Sequence, residues 1–291
     1  MNLVRRTPVI PWPGRDGVWL KLENLQRTGS FKLRGAVARL AALSPEERRA
    51  GIVAASAGNH GLGVACAGRA LGVPVEIVVP ATSPPVKRAG IAAMGATVDV
   101  GGAFYAEAED EARRRAAARG VTFVSAFDDP LIQAGNGGSL AAEILEQRPD
   151  TTHIVVPVGG GGLIAGMTGC GVRLTGVQPE ANCAMFESLK VGRALTVYDG
   201  GPTLAEGCEG AVAESTYALC RDGGVAIALV SEDGIRRAMA FAYGIGLVVE
   251  PSAAVALAGI LDGAVAVSGP TVVVVSGGNV EPDLLDEILR A

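Results

Sequence analysis

Lys32 stands in the string Thr28-Gly29-Ser30-Phe31-Lys32-Leu33-Arg34-Gly35-Ala36. An aromatic and an aliphatic neighbour, fenced by small residues, suit burial of the lysine stem and desolvation of its amine, which favours the neutral nucleophilic form. The same string also reads as an ordinary helix start with Phe31, Leu33 and Ala36 on a buried face, so alone it leaves both readings open. Downstream, His153-Ile154-Val155-Val156-Pro157-Val158 is a short β-branched run that breaks into Gly159-Gly160-Gly161-Gly162 before Leu163-Ile164-Ala165-Gly166-Met167. Buried strand, glycine turn and helix start together make a phosphate cradle: residues without Cβ let successive N–H groups converge on an anion, and the helix adds its positive end. No Lys-Ser/Thr pair follows the glycines and no Gly-x-Gly-x-x-Gly spacing is present, which argues against a nucleotide loop.

Two further loops repeat the design. Ile52-Val53-Ala54-Ala55 runs into Ser56-Ala57-Gly58-Asn59-His60-Gly61, and Thr271-Val272-Val273-Val274-Val275 runs into Ser276-Gly277-Gly278-Asn279. Each sets polar side chains at the carboxyl end of a strand, the edge where open parallel sheets bind ligands, so one shared crevice is expected. His60 alone reads as a structural histidine and Ser276 alone as a helix cap. A nucleophilic lysine, a phosphate seat and these polar loops together are the parts of a pyridoxal phosphate site.

On these motifs the chain resembles the serine/threonine dehydratase and serine racemase group of fold-type II pyridoxal phosphate enzymes, over nearly its whole length. The resemblance implies that Lys32, in Ser-Phe-Lys-x-Arg-Gly-Ala with Phe31 beside the cofactor, forms the Schiff base. It implies that Asn59 bonds the cofactor 3-hydroxyl, that Gly159, Gly160, Gly161, Gly162 and the Leu163 amide bind the phosphate, and that Ser276 faces the pyridine nitrogen. Related cysteine and threonine synthases carry aspartate directly after the lysine, where this chain has Leu33. The implied fold is α/β: two open, twisted, mostly parallel sheets flanked by helices, with a small domain (51–128) inserted in a large one (1–50 and 129–291).

The expected reaction is loss of water from an L-β-hydroxy amino acid, L-threonine, L-serine or a bulkier analogue, giving a 2-oxo acid and ammonia, with Lys32 as the α-proton base. A serine hydroxyl at Ser276 leaves the pyridine nitrogen largely neutral, a shallow electron sink that favours elimination over transamination. Ser56, Ala57, Gly58, Asn59 and His60, beside a helix start, are the expected seat of the substrate carboxylate, with His60 either part of the seat or the residue that orients the loop. Racemases of the group have a serine where this chain has Ala57, and a methyl cannot donate a proton, so a dehydratase is expected over a racemase. Two rival readings are a β-replacement enzyme and a regulatory protein that keeps the cofactor. Loss of Lys32, Asn59, the glycine loop or Ser276 would mark the regulatory protein, and none is lost. Relatives that bind a divalent cation use two carboxylates that align with Gln178 and Ala184, so no metal is expected, although Glu180 stands nearby. Glu206 and Glu250 are expected to line the large domain's side of the crevice.

The elements around these motifs follow from pattern. Val18–Leu22, Val75–Val79, Thr97–Val100 and Val121–Val124 read as strands, and helices are expected after Gly61 and near Lys87 and Glu107. Ser44-Pro45-Glu46-Glu47 is a capping box with proline at the first helical position, and Gly51 is the stop. With 291 residues and 49% hydrophobic content the chain can bury a sizeable core. A net charge of −5 argues against nucleic acid as a partner, and Arg113, Arg114, Arg115 and Arg119, interleaved with Glu107, Glu109, Asp110 and Glu111, read as a solvated helix face. Five cysteines without a Cys-x-x-Cys pair suit a reducing compartment, no apolar leader opens the chain and no run reaches membrane-spanning length. The expectation is a cytoplasmic homodimer acting on a small amino acid, without the regulatory domain of feedback-controlled threonine deaminases.

Overall fold

In a computed structural model, residues 3–290 are described. The chain opens with β1 (Val9–Pro11) and β2 (Val18–Leu22), then α1 (Lys32–Ala41) and α2 (Pro45–Ala50). Ser44 caps α2 as its sequence requires: Glu47 N–H donates to Ser44 Oγ at 3.2 Å, Ser44 N–H donates to Glu47 Oε2 at 2.8 Å, and Gly51 ends the helix at φ 86°. Alternation follows: β3 (Ile52–Ala55), α3 (Asn59–Leu71), β4 (Val75–Val79), α4 (Pro85–Ala93), β5 (Thr97–Val100), α5 (Tyr105–Arg119) and β6 (Thr122–Phe123). Next come α6 (Pro130–Gln133), a π-helical turn (Ala134–Gly138), α7 (Ser139–Gln147), β7 (His153–Pro157), α8 (Gly162–Met167), β8 (Arg173–Pro179) and α9 (Ala184–Val191). After a 3-10 turn (Glu206–Cys208) the chain ends in α10 (Glu214–Asp222), β9 (Ala226–Val230), α11 (Glu232–Gly244), α12 (Pro251–Leu261), β10 (Thr271–Val275) and α13 (Pro282–Arg290).

Two compact units form. The smaller holds Lys32–Asn136 with residues 3–5, and the larger holds Arg6–Phe31 and everything from Gly137 onward. The boundaries expected at 51 and 128 therefore lie at 32 and 136 instead. The reason is packing: Leu33, Ala36 and Leu40 of α1 share one core with Ile52, Ala54, Val64 and Ile77, so α1 belongs to the small sheet.

In the larger unit six strands run in the order β1-β2-β10-β7-β8-β9, all parallel except the β1–β2 pair. Helices cover both faces, as a parallel sheet demands. The period of two divides the strands between two cores: Val273, Val275 and Val155 join residues of α11 and α12, whereas Val272, Val274, Ile154 and Val156 join residues of α7, α8 and α10. Polar groups at the buried margins are paired. Lys21, 0% exposed, donates to Thr7 O at 2.8 Å, Gln147 Oε1 at 2.7 Å and Glu143 Oε1 at 2.5 Å. His153 at the start of β7 takes a bond from Arg173 Nη2 at 2.8 Å on Nδ1, so its Nε2–H donates to Thr175 Oγ1 at 2.8 Å.

The smaller unit has four parallel strands in the order β5-β4-β3-β6. Ala108, Ala112 and Ala116, one per turn of α5, lie on Val53, Ala55 and Val78 of one face. Of the strand expected over 121–124, Thr122–Phe123 pair in register with β3, and Val124 N–H donates to Val53 O at 2.9 Å. The arginine-rich face of α5 is spent locally: Arg113 pairs with Glu109, Arg114 with Glu111, and Arg115 and Arg119 reach Glu76 on β4. No helix among the described residues is long and apolar enough to cross a membrane.

Candidate functional site

Lys32 is the first residue of α1, and its Nζ donates to Ala126 O at 3.1 Å, just beyond β6. Its backbone is held by α3, which comes so close that a Cβ on Gly63 would stand 3.1 Å from Lys32 C and 3.2 Å from Leu33 N. Gly63 lies one turn beyond Asn59, the first residue of α3. The small sheet thus brings Lys32 and the 56–60 loop together at its carboxyl edge.

Within that loop Ser56 is inward-facing. Its Oγ accepts Gly58 N–H at 3.1 Å and its own N–H donates to Val78 O at 3.1 Å, while Ala57, Gly58 and Asn59 are half-buried. His60 is 4% exposed, and its Nε2 lies 3.1 Å from Val124 O, so Nε2 carries the proton and Nδ1 is the bare nitrogen. Burial first, and the charge on Lys32 second, drive the imidazole's pKa from 6.5 down to about 3. The ring is thus buried and tied to the backbone carbonyl of Val124, just beyond β6.

The larger unit supplies the remaining groups at the carboxyl ends of two adjacent strands, β7 and β10. Gly159 follows β7 against the 3-10 turn, where a Cβ would meet Gly207 O at 2.5 Å. Gly161 caps α8 at φ 89°, a conformation that suits glycine alone. Among the described residues no acceptor meets the N–H of Gly159, Gly160 or Gly161. Three unmet amides, with Gly162 and Leu163 opening α8 behind them, form an anion seat. Ser276, after β10, is 2% exposed; its carbonyl accepts Phe31 N–H at 3.0 Å, while its hydroxyl finds no partner among the described residues. Phe31 immediately precedes Lys32. Glu250 caps α12, and its carboxylate occupies the space where a Cβ on Gly277 would stand, 2.3 Å from Oε1; Glu206 is exposed on the 3-10 turn.

Taken unit by unit, the lysine amine of the smaller one suits an aldehyde and the amide seat of the larger one suits a phosphate, the two groups that a phosphorylated aldehyde cofactor carries. The model of the family described as pyridoxal-phosphate dependent enzyme matches residues 1–278. The chain belongs to the pyridoxal-phosphate dependent enzymes. It is 40% identical over 283 residues to an L-threonine ammonia-lyase of Thermotoga maritima, covering 94% of this chain and 70% of that protein. In structure it is similar to the processed form of threonine deaminase isoform 2 from Solanum lycopersicum, with a TM-score of 0.90 and 32% identity, covering 99% of this chain and 88% of the other. It is likewise similar to maize serine racemase, with a TM-score of 0.90 and 28% identity, covering 99% and 92%. The two-sheet α/β architecture expected of a fold-type II enzyme is the one observed, and the cofactor of this family member is pyridoxal phosphate.

The positions aligned with cation ligands do not suit a cation. Gln178 is neutral and engaged: its Nε2 donates to Val158 O at 3.3 Å and its Oε1 accepts Phe186 N–H at 2.9 Å. Ala184 has no donor atom in its side chain, and no group of three or more His, Cys, Asp or Glu among the described residues could hold a metal. Sequence reasoning missed Gly63 and Ala126, which fix Lys32. The signal for Gly63 was a glycine inside an otherwise ordinary helix, which costs stability unless a neighbour must come close.

Proposed function

We propose that the chain is a lyase that removes water from L-threonine or L-serine, or a bulkier L-β-hydroxy amino acid, and releases a 2-oxo acid and ammonia. The observation that carries this reading is the lone, neutral hydroxyl of Ser276, set at a strand end beside the amide seat, in a chain 40% identical to a protein named L-threonine ammonia-lyase. When bound, pyridoxal phosphate supplies an aldehyde that joins amino groups and a ring that accepts the electron pair freed at the amino acid's α-carbon. The chain's own part is to hold and to move protons. Gly159, Gly160, Gly161, Gly162 and Leu163 bind the phosphate through their N–H groups, with the positive end of α8 behind them. Asn59 would hold the cofactor through its ring hydroxyl, and Phe31 would be a further contact.

Lys32 Nζ would be the amine that joins the cofactor's aldehyde and the base that takes the α-proton. The Ser276 hydroxyl would face the ring nitrogen as a neutral partner, and the proton taken from the α-carbon would leave with the β-hydroxyl as water. The 56–60 loop and the positive end of α3 seat the substrate carboxylate, with His60 fixing the loop from inside. Ala57, a methyl, offers no second acid for racemisation. Glu206 on the 3-10 turn and Glu250 at the start of α12 are the carboxylates on the larger unit's side. Five free cysteines suit a cytoplasmic location, and a homodimer is the assembly expected.

The test is release of 2-oxo acid and ammonia from L- and D-serine, L-threonine, 3-hydroxyaspartate and phenylserine, with Lys32→Ala as control and light scattering for the assembly. Release by the unmodified chain alone supports the lyase and ranks its substrates. Silence throughout with cofactor bound, or inversion of serine without ammonia, would overturn it.

A further inference from the structure

The phosphate seat rests on side chains that no motif marks. Thr216, in the first turn of α10, is 0% exposed. Its Oγ1 lies 2.8 Å from Gly160 O and 3.1 Å from Ala213 O, and it accepts Ala213 N–H at 3.1 Å. A hydroxyl has one proton to give, and the shorter contact assigns it to Gly160 O. Gln178, also 0% exposed, gives its Nε2–H to Val158 O at 3.3 Å while Phe186 N–H fixes its other end. The two side chains therefore grip the carbonyls on either side of Gly159.

The consequence follows from peptide geometry. Among the described residues no peptide bond is cis. In a trans peptide the C=O and the following N–H point in opposite directions in one rigid plane. Pulling Gly160 O toward Thr216 turns Gly161 N–H the other way, and pulling Val158 O toward Gln178 does the same for Gly159 N–H. These are two of the three amides that meet no acceptor in the protein. A run of four glycines has no side chain with which to hold these planes and would otherwise sample many orientations. Behind the loop, a Cβ on Gly161 would stand 2.7 Å from Met185 Cε and 3.0 Å from Thr216 Cβ, so the wall that aims the amides also leaves no room to turn them back.

We propose that Thr216 and Gln178 are positioning residues that aim the Gly161 and Gly159 amides at the cofactor phosphate, a role that rests on reading Gly159–Leu163 as the phosphate seat. They touch neither substrate nor reacting atoms. Their effect is on the affinity for the phosphate group, by preorganising its donors.

The experiment titrates the cofactor-free chain with pyridoxal phosphate, and in parallel with pyridoxal, which lacks the phosphate, following absorbance of the bound form. Thr216→Val removes the hydroxyl at nearly constant shape, Thr216→Ser retains it, and Gln178→Met removes the amide. Thr216→Val and Gln178→Met are each expected to weaken pyridoxal phosphate about tenfold, the scale of one lost hydrogen bond, and Thr216→Ser to stay within about threefold of the parent. Pyridoxal affinity is expected to change less than about twofold in all three. An unchanged affinity for pyridoxal phosphate in Thr216→Val, equal losses for the two ligands, or failure of Thr216→Ser to restore binding would overturn the assignment of Thr216. If Thr216→Val does not fold, Gln178→Met read in the same way decides. Gly161→Ala separates the two levels: if it keeps full affinity, the phosphate seat itself is misplaced, whereas if it loses affinity while Thr216→Val does not, only the aiming role falls.

Discussion

Gly63 offers a test of how closely the backbone positions the lysine. A methyl at this position would stand 3.1 Å from Lys32 C and 3.2 Å from both Leu33 N and Lys32 O, shorter than ordinary contacts. Restoring van der Waals separation requires α1 and α3 to part by about 0.3–0.5 Å at Lys32 itself. Stability is pulled both ways. Alanine in a helix interior gains about 0.5–1 kcal/mol over glycine, while overpacking one methyl costs about the same, so Gly63→Ala should leave the cofactor-free chain within about 1 kcal/mol of the parent in urea. Activity has no such compensation. A misplacement of about 1 Å can cost about 10²-fold, and on that scale Gly63→Ala should lower kcat/KM for L-threonine by roughly 3- to 10-fold. Gly63→Val, whose branched carbons enter α1, should lose about 10²-fold and destabilise by about 1–3 kcal/mol. The assay is 2-oxo acid release with cofactor saturating, beside urea unfolding. Full kcat/KM in Gly63→Val would refute the reasoning, because the lysine would then tolerate displacement of its helix.

Other consequences are equally open to measurement. Lys32→Ala should lower turnover at least about 10³-fold while the chain still folds, as checked by circular dichroism. Ser276→Asp exchanges the neutral hydroxyl proposed to face the ring nitrogen for a carboxylate and should slow 2-oxo acid release; an unchanged rate would remove the argument from the neutral hydroxyl. Chelation should leave activity within about twofold, since Gln178 and Ala184 offer no anionic donors; complete loss restored by magnesium would contradict this. Acid should destabilise the fold through its two histidines, His60 with a pKa of about 3 and His153 of about 4, the latter lowered by burial and then by Arg173. An unfolded histidine titrates near 6.5, so below that pH the unfolded chain takes protons first, and stability present above pH 6.5 is lost progressively toward pH 4. At pH 5 the loss should be about 2 kcal/mol for each histidine, readable as a lower urea midpoint, and His153→Gln should shrink it.

Much of this architecture was legible because local chemistry and tertiary packing agree. The β-branched runs at 52–55, 75–79, 153–157 and 271–275 are strands buried on both faces, and Ser44, Pro45 and Gly51 set their helix without help from elsewhere. The glycine cradle announced itself for the same reason: few sequences tolerate four glycines tight against a buried strand. What was not legible depends on partners distant in sequence. The unit boundary at Lys32 follows from α1 sharing a core with β3 and β4, and a string such as Phe31-Lys32-Leu33 does not say which sheet its apolar residues will meet. Ala126 matters through its carbonyl, which every residue has. Thr216 lies 56 residues from the carbonyl it grips, in a helix whose sequence reads as any other surface-packed element.

An amide at position 178, where the resemblance implies a carboxylate in cation-binding relatives, also has a physical logic. A carboxylate is an acceptor only, so beside a backbone carbonyl such as Val158 O it can make no direct bond and needs a cation to bridge the two. An amide carries donor and acceptor together. Gln178 joins Val158 O to Phe186 N–H, and Asn182 joins Gly201 O, at 3.3 Å, to Gly210 N–H, at 3.0 Å, each by direct hydrogen bonds. Reverting a single position should therefore be worse than neutral. Gln178→Glu would lose the donor to Val158 O and bury an anion that neither Ala184 nor Asn182 can help to neutralise, at a cost of several kcal/mol. Restoring a cation site would need an acidic residue at 184 as well, and only the double variant should gain magnesium-dependent stability. A single Gln178→Glu chain as stable as the parent, with or without magnesium, would show that the amide is not what holds this strand end.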